Sequence, residues 1–289
     1  MIPPSFEYFR PSTIPEAIAL LKEYGDEAKI LSGGQSLIPM LKLRLARPAY
    51  LVDINRIAGL SYIKEEGGFL KIGGLTRERE LEASPLIAAK YPILLDTTRV
   101  IADPQVRNLA TVGGNLAHGD PANDHPATML ALGAQIVATG PRGPRTIRIE
   151  DFFLSLFTTA LEPGEILTEI RISMPPPHSG GSYFKLERKV GDFATAAVAA
   201  QLTLDDKGAV QNVGIGLTNV GPKPLKAGKA ETLLRGKKID VALLTQAAQL
   251  AGDEAQPSSD LRGPAEYKQG LVKELAKRAL SRALERARN

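Results

Sequence analysis

Apolar residues fall on one helical face at Ala17, Ile18, Leu20 and Leu21, between Thr13-Ile14-Pro15-Glu16 and Gly25. That spacing predicts an amphipathic helix. A capping box starts it, with the Thr13 hydroxyl accepting from the Glu16 amide and Glu16 reaching back, and Gly25 ends it. Before it, Phe6, Tyr8 and Phe9 run to Pro11 and read as an edge strand. Lys29-Ile30-Leu31 is a brief strand running into Ser32-Gly33-Gly34-Gln35-Ser36; a helix or tight turn follows over 37–45, then a strand over 50–54. Strands at 62–64 and 69–72 flank Gly67-Gly68 and predict a hairpin. Thr76 reads as the cap of a helix through Leu81, and one longer apolar helix is expected over 87–100. Thr111-Val112-Gly113-Gly114-Asn115 reads as a second glycine turn after a strand-like segment. A helix over 127–132, strands over 134–138, 147–149 and 165–172, and a helix near 151–156 complete this half.

Pro175-Pro176-Pro177, followed by Gly180-Gly181, is the clearest linker, because three prolines stop both helix and central strand. Beyond it the pattern changes to three strands, over 182–188, 194–204 and 209–218, with Asp206-Lys207-Gly208 as a hairpin turn. Helices follow over 227–234, 241–251 and 264–287. Strands followed by helices indicate a separate α+β domain. The expected boundaries are 1–177, split at about residue 58, and 178–289.

Composition narrows the function. The 289 residues include no cysteine, which excludes disulfides, a thiolate nucleophile and cysteine-ligated clusters in this chain. Net charge is +4, and the segment from Lys273 onward holds six basic and two acidic residues. That reads as a solvated helix face rather than a nucleic-acid platform. No apolar run approaches the roughly 18 residues of a membrane span.

The two glycine pairs are the strongest chemical signal. A glycine pair after a strand lets backbone amides approach an anion with no Cβ in the way. Ser32, Ser36, Thr111 and Asn115 add side-chain donors. Two such loops suit the two phosphates of a dinucleotide, although each is also compatible with an ordinary tight turn. The G-x-G-x-x-G and P-loop patterns are missing, which disfavours Rossmann and P-loop folds. His118, Asp120, Asp124 and His125 are of metal-ligating type, but Gly119, Pro121 and Pro126 break any helix that would align them. Asp124 reads better as an acceptor for a ribose or a nearby amide, and the two histidines as loop residues. Without a G-x-S-x-G elbow, nucleophilic catalysis has little support.

SGGQS followed by LIPMLKLRLARP, then TVGGN, DPAND, PGEILT, KVGDFA, GLTNV and RGPAEY together resemble the FAD-binding medium subunits of molybdenum hydroxylases, nearest those of the aerobic carbon monoxide dehydrogenases. The likeness spans nearly the whole chain. It implies an α+β chain: a PCMH-type (vanillyl-alcohol-oxidase-type) FAD domain of two α/β subdomains, then a C-terminal domain of a three-stranded antiparallel sheet with a helical bundle. The family pattern places FAD near Lys29, Leu31, Ser32, Gly33, Gly34, Gln35, Ser36 and Leu37, and near Ala102, Ala110, Thr111, Gly113, Gly114, Asn115 and Ala117. Asp124 matches an acid near the ribose. Leu167, Lys185 and Phe193 match positions near the isoalloxazine. Gln35 stands where many relatives have histidine, and Phe193 lacks a tyrosine hydroxyl. Without cysteine the chain cannot hold the [4Fe–4S] cluster of 4-hydroxybenzoyl-CoA reductase flavin subunits, and its FAD is expected to be noncovalent.

The resemblance further implies partners. A large subunit holds the molybdenum cofactor and a small subunit holds two [2Fe–2S] clusters, in a dimer of heterotrimers. Electrons pass through FAD to a quinone or other acceptor, and the overall reaction is CO plus water to CO2, two electrons and two protons. The implied location is the cytoplasm, up to the inner face of the membrane, with no nucleic-acid partner. A flavin subunit of an aldehyde or N-heterocycle hydroxylase, and a stand-alone PCMH-type flavin oxidoreductase, remain alternatives.

Overall fold

The computed structural model describes residues 2–289. Strands Glu7–Phe9, Tyr50–Asp53 and Ala28–Leu31 lie in that order in a parallel sheet, with the first on an edge as expected. Helix Ile14–Tyr24 joins the edge strand to Ala28–Leu31. Thr13 Oγ1 accepts from the Glu16 amide at 3.3 Å. The Glu16 carboxylate reaches one residue further back than a capping box requires, to the Ser12 amide at 2.8 Å. Ala17 and Leu21 face the sheet, and the Tyr24 and Tyr50 rings stack 3.9 Å apart.

The second unit is a five-stranded antiparallel sheet: Ile63–Glu66, Phe69–Gly73, Ile166–Ser173, Gln135–Gly140 and Gly143–Arg148. The Gly67-Gly68 hairpin is present. Three local expectations change. Helix Glu78–Ala83 begins after Arg77, not at Thr76, whose buried hydroxyl donates instead to Tyr62 O at 3.0 Å. The helix expected over 87–100 is two helices, Pro85–Lys90 and Pro92–Arg99. Pro92 has no amide to continue the first and a φ suited to starting the second. Near 151–156, a short helix Ile149–Phe152 gives way to strand Phe153–Ser155.

The third unit has four strands rather than three, because Leu225–Lys226 pairs with Val210–Thr218 beyond Ser179–Glu187 and Ala194–Leu204. Strand Ala194–Leu204 is buried on both faces. Ala197 and Ala199 join the core of the second unit, whereas Ala196, Val198, Ala200 and Leu202 join a core with the three C-terminal helices. Helix His125–Leu132 lies directly on strand Val210–Thr218: a Cβ at Gly214 or Gly216 would fall 2.0 Å from the carbonyls of Ala131 or Ala127. Glycine is therefore what lets helix His125–Leu132 and the C-terminal sheet touch backbone to backbone.

Helix Ala265–Arg288 carries the basic face. Arg278 and Arg282 pair along the helix with Glu274 and Glu285. Arg286 departs from the solvated reading: it crosses to Asp96 at 2.5 Å and to Gly181 O at 2.6 Å.

Candidate functional site

Strand Ala28–Leu31 delivers Ser32-Gly33-Gly34-Gln35-Ser36 at its C-terminal end, before helix Leu37–Lys42. Gln35 Nε2 folds back on Gly33 O at 3.2 Å. Gly34 has φ +73°, a left-handed conformation that favours glycine. Among the described residues, the amides of 33–37 donate to no protein acceptor. A run of free, partly exposed amides is a ready anion cradle.

The second glycine pair is built differently. Thr111 caps helix Val112–Ala117, so Gly113 and Gly114 sit in a first helical turn rather than in a loop after a strand. The segment before them makes a single bridge, Thr111 with Arg77. Its amides are engaged: Val112 with Thr76 O, Gly113 with Gly74 O, Gly114 with Thr111 Oγ1 and Asn115 with Thr111 O, at 2.9–3.1 Å. The two pairs are therefore not equivalent anion cradles.

Their glycines also serve different ends. A Cβ at Gly33 would lie 2.5 Å from Leu109 O, and one at Gly113 would lie 2.4 Å from Gly74 O. Both permit backbone packing. A Cβ at Gly114 would meet Thr111 Oγ1 at 2.6 Å and look toward the Ser32 side chain at 3.8 Å, into the junction of the two segments. There the Ser32 and Thr111 hydroxyls lie 2.8 Å apart.

Two residues with no sequence motif clamp this junction. Asn55 Nδ2 donates to Ser32 O at 2.8 Å and Asp53 Oδ1 at 2.6 Å. Arg77 donates to Leu109 O and, at 2.5 Å, to Asn55 Oδ1. The one hint in the sequence is Asp53-Ile54-Asn55 at a strand end, a local side-chain turn.

Asp124 sits apart from the glycine junction. It is buried and accepts from Tyr183 Oη at 2.6 Å and Lys185 Nζ at 3.0 Å. Burial pushes its carboxyl up, against the pull of Lys185 and Tyr183. Burial and Asp124 likewise push the Tyr183 phenol up. Lys185 also donates to Val100 O at 3.0 Å, which brings it to the segment of Ala102. Ala102 has φ +45°, and its carbonyl packs against Gly191 of the loop that carries half-exposed Phe193. Leu167 is buried in a bulged strand, with its carbonyl against Gly74. Ala117 ends the capped helix, whereas Lys29 is exposed on its strand.

The two groups meet through Asn123, whose Nδ2 donates to Asn115 O at 2.8 Å. Asn115 Oδ1 is buried with no partner. An orphaned buried acceptor awaits a donor, because leaving it unmade costs about 1–3 kcal/mol. Free amides at 33–37, the Cβ-free face of Gly114 and this acceptor fit the phosphates and the hydroxyl or N–H groups of a dinucleotide. The histidine–aspartate cluster separates: His118 packs on Phe157 at 5.1 Å, and burial lowers its pKa. His125 is not a loop residue but the buried start of a helix, with Pro126 in its first turn. Among the described residues no three His, Cys, Asp or Glu side chains converge as metal ligands.

This architecture, a cradle at a parallel-sheet edge with an antiparallel sheet and a helical α+β unit, suits a dinucleotide-binding protein. The chain belongs to the family of the FAD binding domain in molybdopterin dehydrogenase, which matches residues 4–175, and the CO dehydrogenase flavoprotein C-terminal domain matches residues 181–283. It is 47% identical over 289 residues to the carbon monoxide dehydrogenase medium chain of Afipia carboxidovorans, covering 100% of both chains. It superposes with a TM-score of 0.96 and 46% identity on a chain of carbon monoxide dehydrogenase from Hydrogenophaga pseudoflava, covering 99% of each. Quinoline 2-oxidoreductase from Pseudomonas putida 86 is similar with a TM-score of 0.93 and 32% identity, covering 100% of both chains.

Proposed function

We propose that this chain is the FAD-carrying medium subunit of a molybdenum-dependent carbon monoxide dehydrogenase. The observation that carries the reading is full-length identity of 47% to such a medium chain, with no part of either chain left over. The lower identity to quinoline 2-oxidoreductase, 32%, makes an N-heterocycle hydroxylase the second reading. Substrate oxidation, CO plus water to CO2, two electrons and two protons, belongs to a large partner holding the molybdenum cofactor. A small partner supplies electrons from [2Fe–2S] clusters. A dimer of heterotrimers in the cytoplasm is the assembly we favour. Among the described residues no helix is long and apolar enough to cross a membrane.

Bound FAD supplies the redox centre between the iron–sulfur donor and a quinone or other acceptor. This chain's residues bind and orient it. Amides 33–37 receive the pyrophosphate, and Gly114 leaves its face of the junction clear. Asn115 Oδ1, buried without a protein partner, would accept from a cofactor hydroxyl or N–H. The Asp124–Tyr183–Lys185 group holds a buried carboxyl, a phenol and Lys185 Nζ at fixed separation beside the segment of Ala102. Buried Leu167 and half-exposed Phe193 would help hold the ring system. Without cysteine, the FAD would be held noncovalently. The boundary between the FAD domain, 1–177, and the C-terminal domain, 178–289, falls in the proline linker, and the FAD domain divides near residue 58.

The test is an absorption spectrum of the purified chain after incubation with FAD and removal of excess. Flavin bands near ~375 and ~450 nm, released on denaturation, are expected. Co-expression with a molybdenum-binding and a [2Fe–2S] subunit should then yield CO-dependent dye reduction. No flavin retention in either form overturns the cofactor reading. Activity with N-heterocycles but not CO moves the substrate to the second reading.

A further inference from the structure

Glu78 and His125 form a fully buried pair, both at 0% exposure, with Nε2 and Oε2 2.8 Å apart. Their far atoms, Glu78 Oε1 and His125 Nδ1, have no partner. Such a pair is a poor source of stability: apolar side chains of the same size would do as well or better, and each orphaned atom adds a desolvation penalty. Its place in the fold gives it another use. The Glu78 amide donates to Ala110 O at 3.0 Å, immediately before Thr111, whose hydroxyl meets Ser32 and caps the turn of Gly113 and Gly114. His125 directly follows Asp124, the acceptor of Tyr183 and Lys185. The hydrogen bond between Glu78 and His125, residues 47 apart in sequence, thus adds a second tie between the glycine junction and the Asp124 group beside that of Asn123 with Asn115 O.

We propose that Glu78 and His125 are positioning residues for the flavin: their hydrogen bond holds the 110–115 segment and Asp124 in register and so sets how tightly, and in what environment, FAD is held. The inference rests on the reading of the glycine junction and the Asp124 group as the FAD site. Neither residue touches the cofactor cradle; each acts through the backbone it anchors. A buried bond of fixed geometry is suited to that, because the low dielectric around it makes any other separation costly.

The experiment compares wild-type chain with Glu78→Gln, His125→Ala and the double variant Glu78→Leu/His125→Met. The FAD dissociation constant is read by flavin fluorescence, the bound flavin's environment by visible circular dichroism, and folding by far-UV circular dichroism. Glu78→Gln keeps a hydrogen-bond acceptor and should bind FAD within about twofold of wild type. Folded His125→Ala should bind at least about fivefold more weakly, with a shifted visible spectrum. The double variant should fold, since it replaces the pair with apolar volume, and show the same weakening. It decides the matter if His125→Ala does not fold. Wild-type affinity and spectrum in folded His125→Ala or in the folded double variant overturn the inference. No FAD binding by wild type overturns the parent reading instead.

Discussion

Alanine at Gly33 and alanine at Gly114 should behave oppositely, because one glycine serves backbone packing and the other an open face. At Gly33 the new Cβ would lie 2.5 Å from Leu109 O and 2.8 Å from Ala110 Cα, both backbone atoms that cannot rotate away. The two segments must part by roughly 1 Å, and overpacking of that kind costs about 1–3 kcal/mol. At about 2 °C per kcal/mol for a chain of this size, the apo melting temperature should fall by about 2–6 °C. At Gly114 the Cβ would displace only the Thr111 hydroxyl, 2.6 Å away. Losing that cap costs about 1 kcal/mol. Replacing glycine by alanine in a helical turn returns about the same amount. Apo Gly114→Ala should therefore melt within about 2 °C of wild type. Its Cβ nevertheless occupies the face toward Ser32, and FAD affinity should fall by at least about tenfold, or ~1.4 kcal/mol. Apo thermal unfolding and FAD titration on the same preparations read both numbers. An unchanged melting temperature for Gly33→Ala would refute the packing role, and wild-type FAD affinity in folded Gly114→Ala would refute the junction as the cofactor's place.

Three further outcomes are expected. Asn115→Ala removes a buried oxygen with no partner, so apo stability should hold or rise while FAD binding weakens about tenfold, as paired apo and holo melts would reveal. Lys185→Met strips Asp124 of its buried counter-charge and should cost about 3–5 kcal/mol in urea unfolding at neutral pH. The loss should shrink as pH falls, because protonation of the already raised Asp124 carboxyl removes the uncompensated charge. Glu165 is pushed up by burial, but the Arg145 fork at 2.6 and 2.8 Å and the Glu162 amide hold its carboxyl below the usual range. Stability from a depressed carboxyl is present above its unfolded value and lost as pH falls through the folded one. Glu165→Gln should therefore lower stability at pH 7 and flatten the acid limb below about pH 4.5, as a pH series of urea midpoints would record.

Most elements were legible because their signals are local. The helical stripe at 17–21, the Gly67-Gly68 hairpin and the triple-proline break each follow from steric and hydrogen-bond rules that operate within a few residues. Misreadings came where one residue serves two neighbours. Pro92 ends one helix by starting another, and Thr76 is drawn from capping into a bond with Tyr62. The short strand Leu225–Lys226 carries no periodicity of its own and exists because Val210–Thr218 offers it an edge.

The chain's linear pattern alone established two glycine-bearing segments, an absence of thiol chemistry, a proline-marked change from the first half to an α+β second half, and a family likeness carried by motifs along nearly its whole length. Which glycines face a ligand and which face another backbone was settled by packing. Gly33 meets Leu109 and Gly113 meets Gly74, contacts between segments far apart in sequence that no local rule encodes. The Asn55–Arg77 clamp and the Glu78–His125 pair emerge the same way. Their side chains acquire partners only when separate elements are brought within 3 Å, and a hydrogen bond's meaning depends on that distance rather than on either residue's neighbours in the chain.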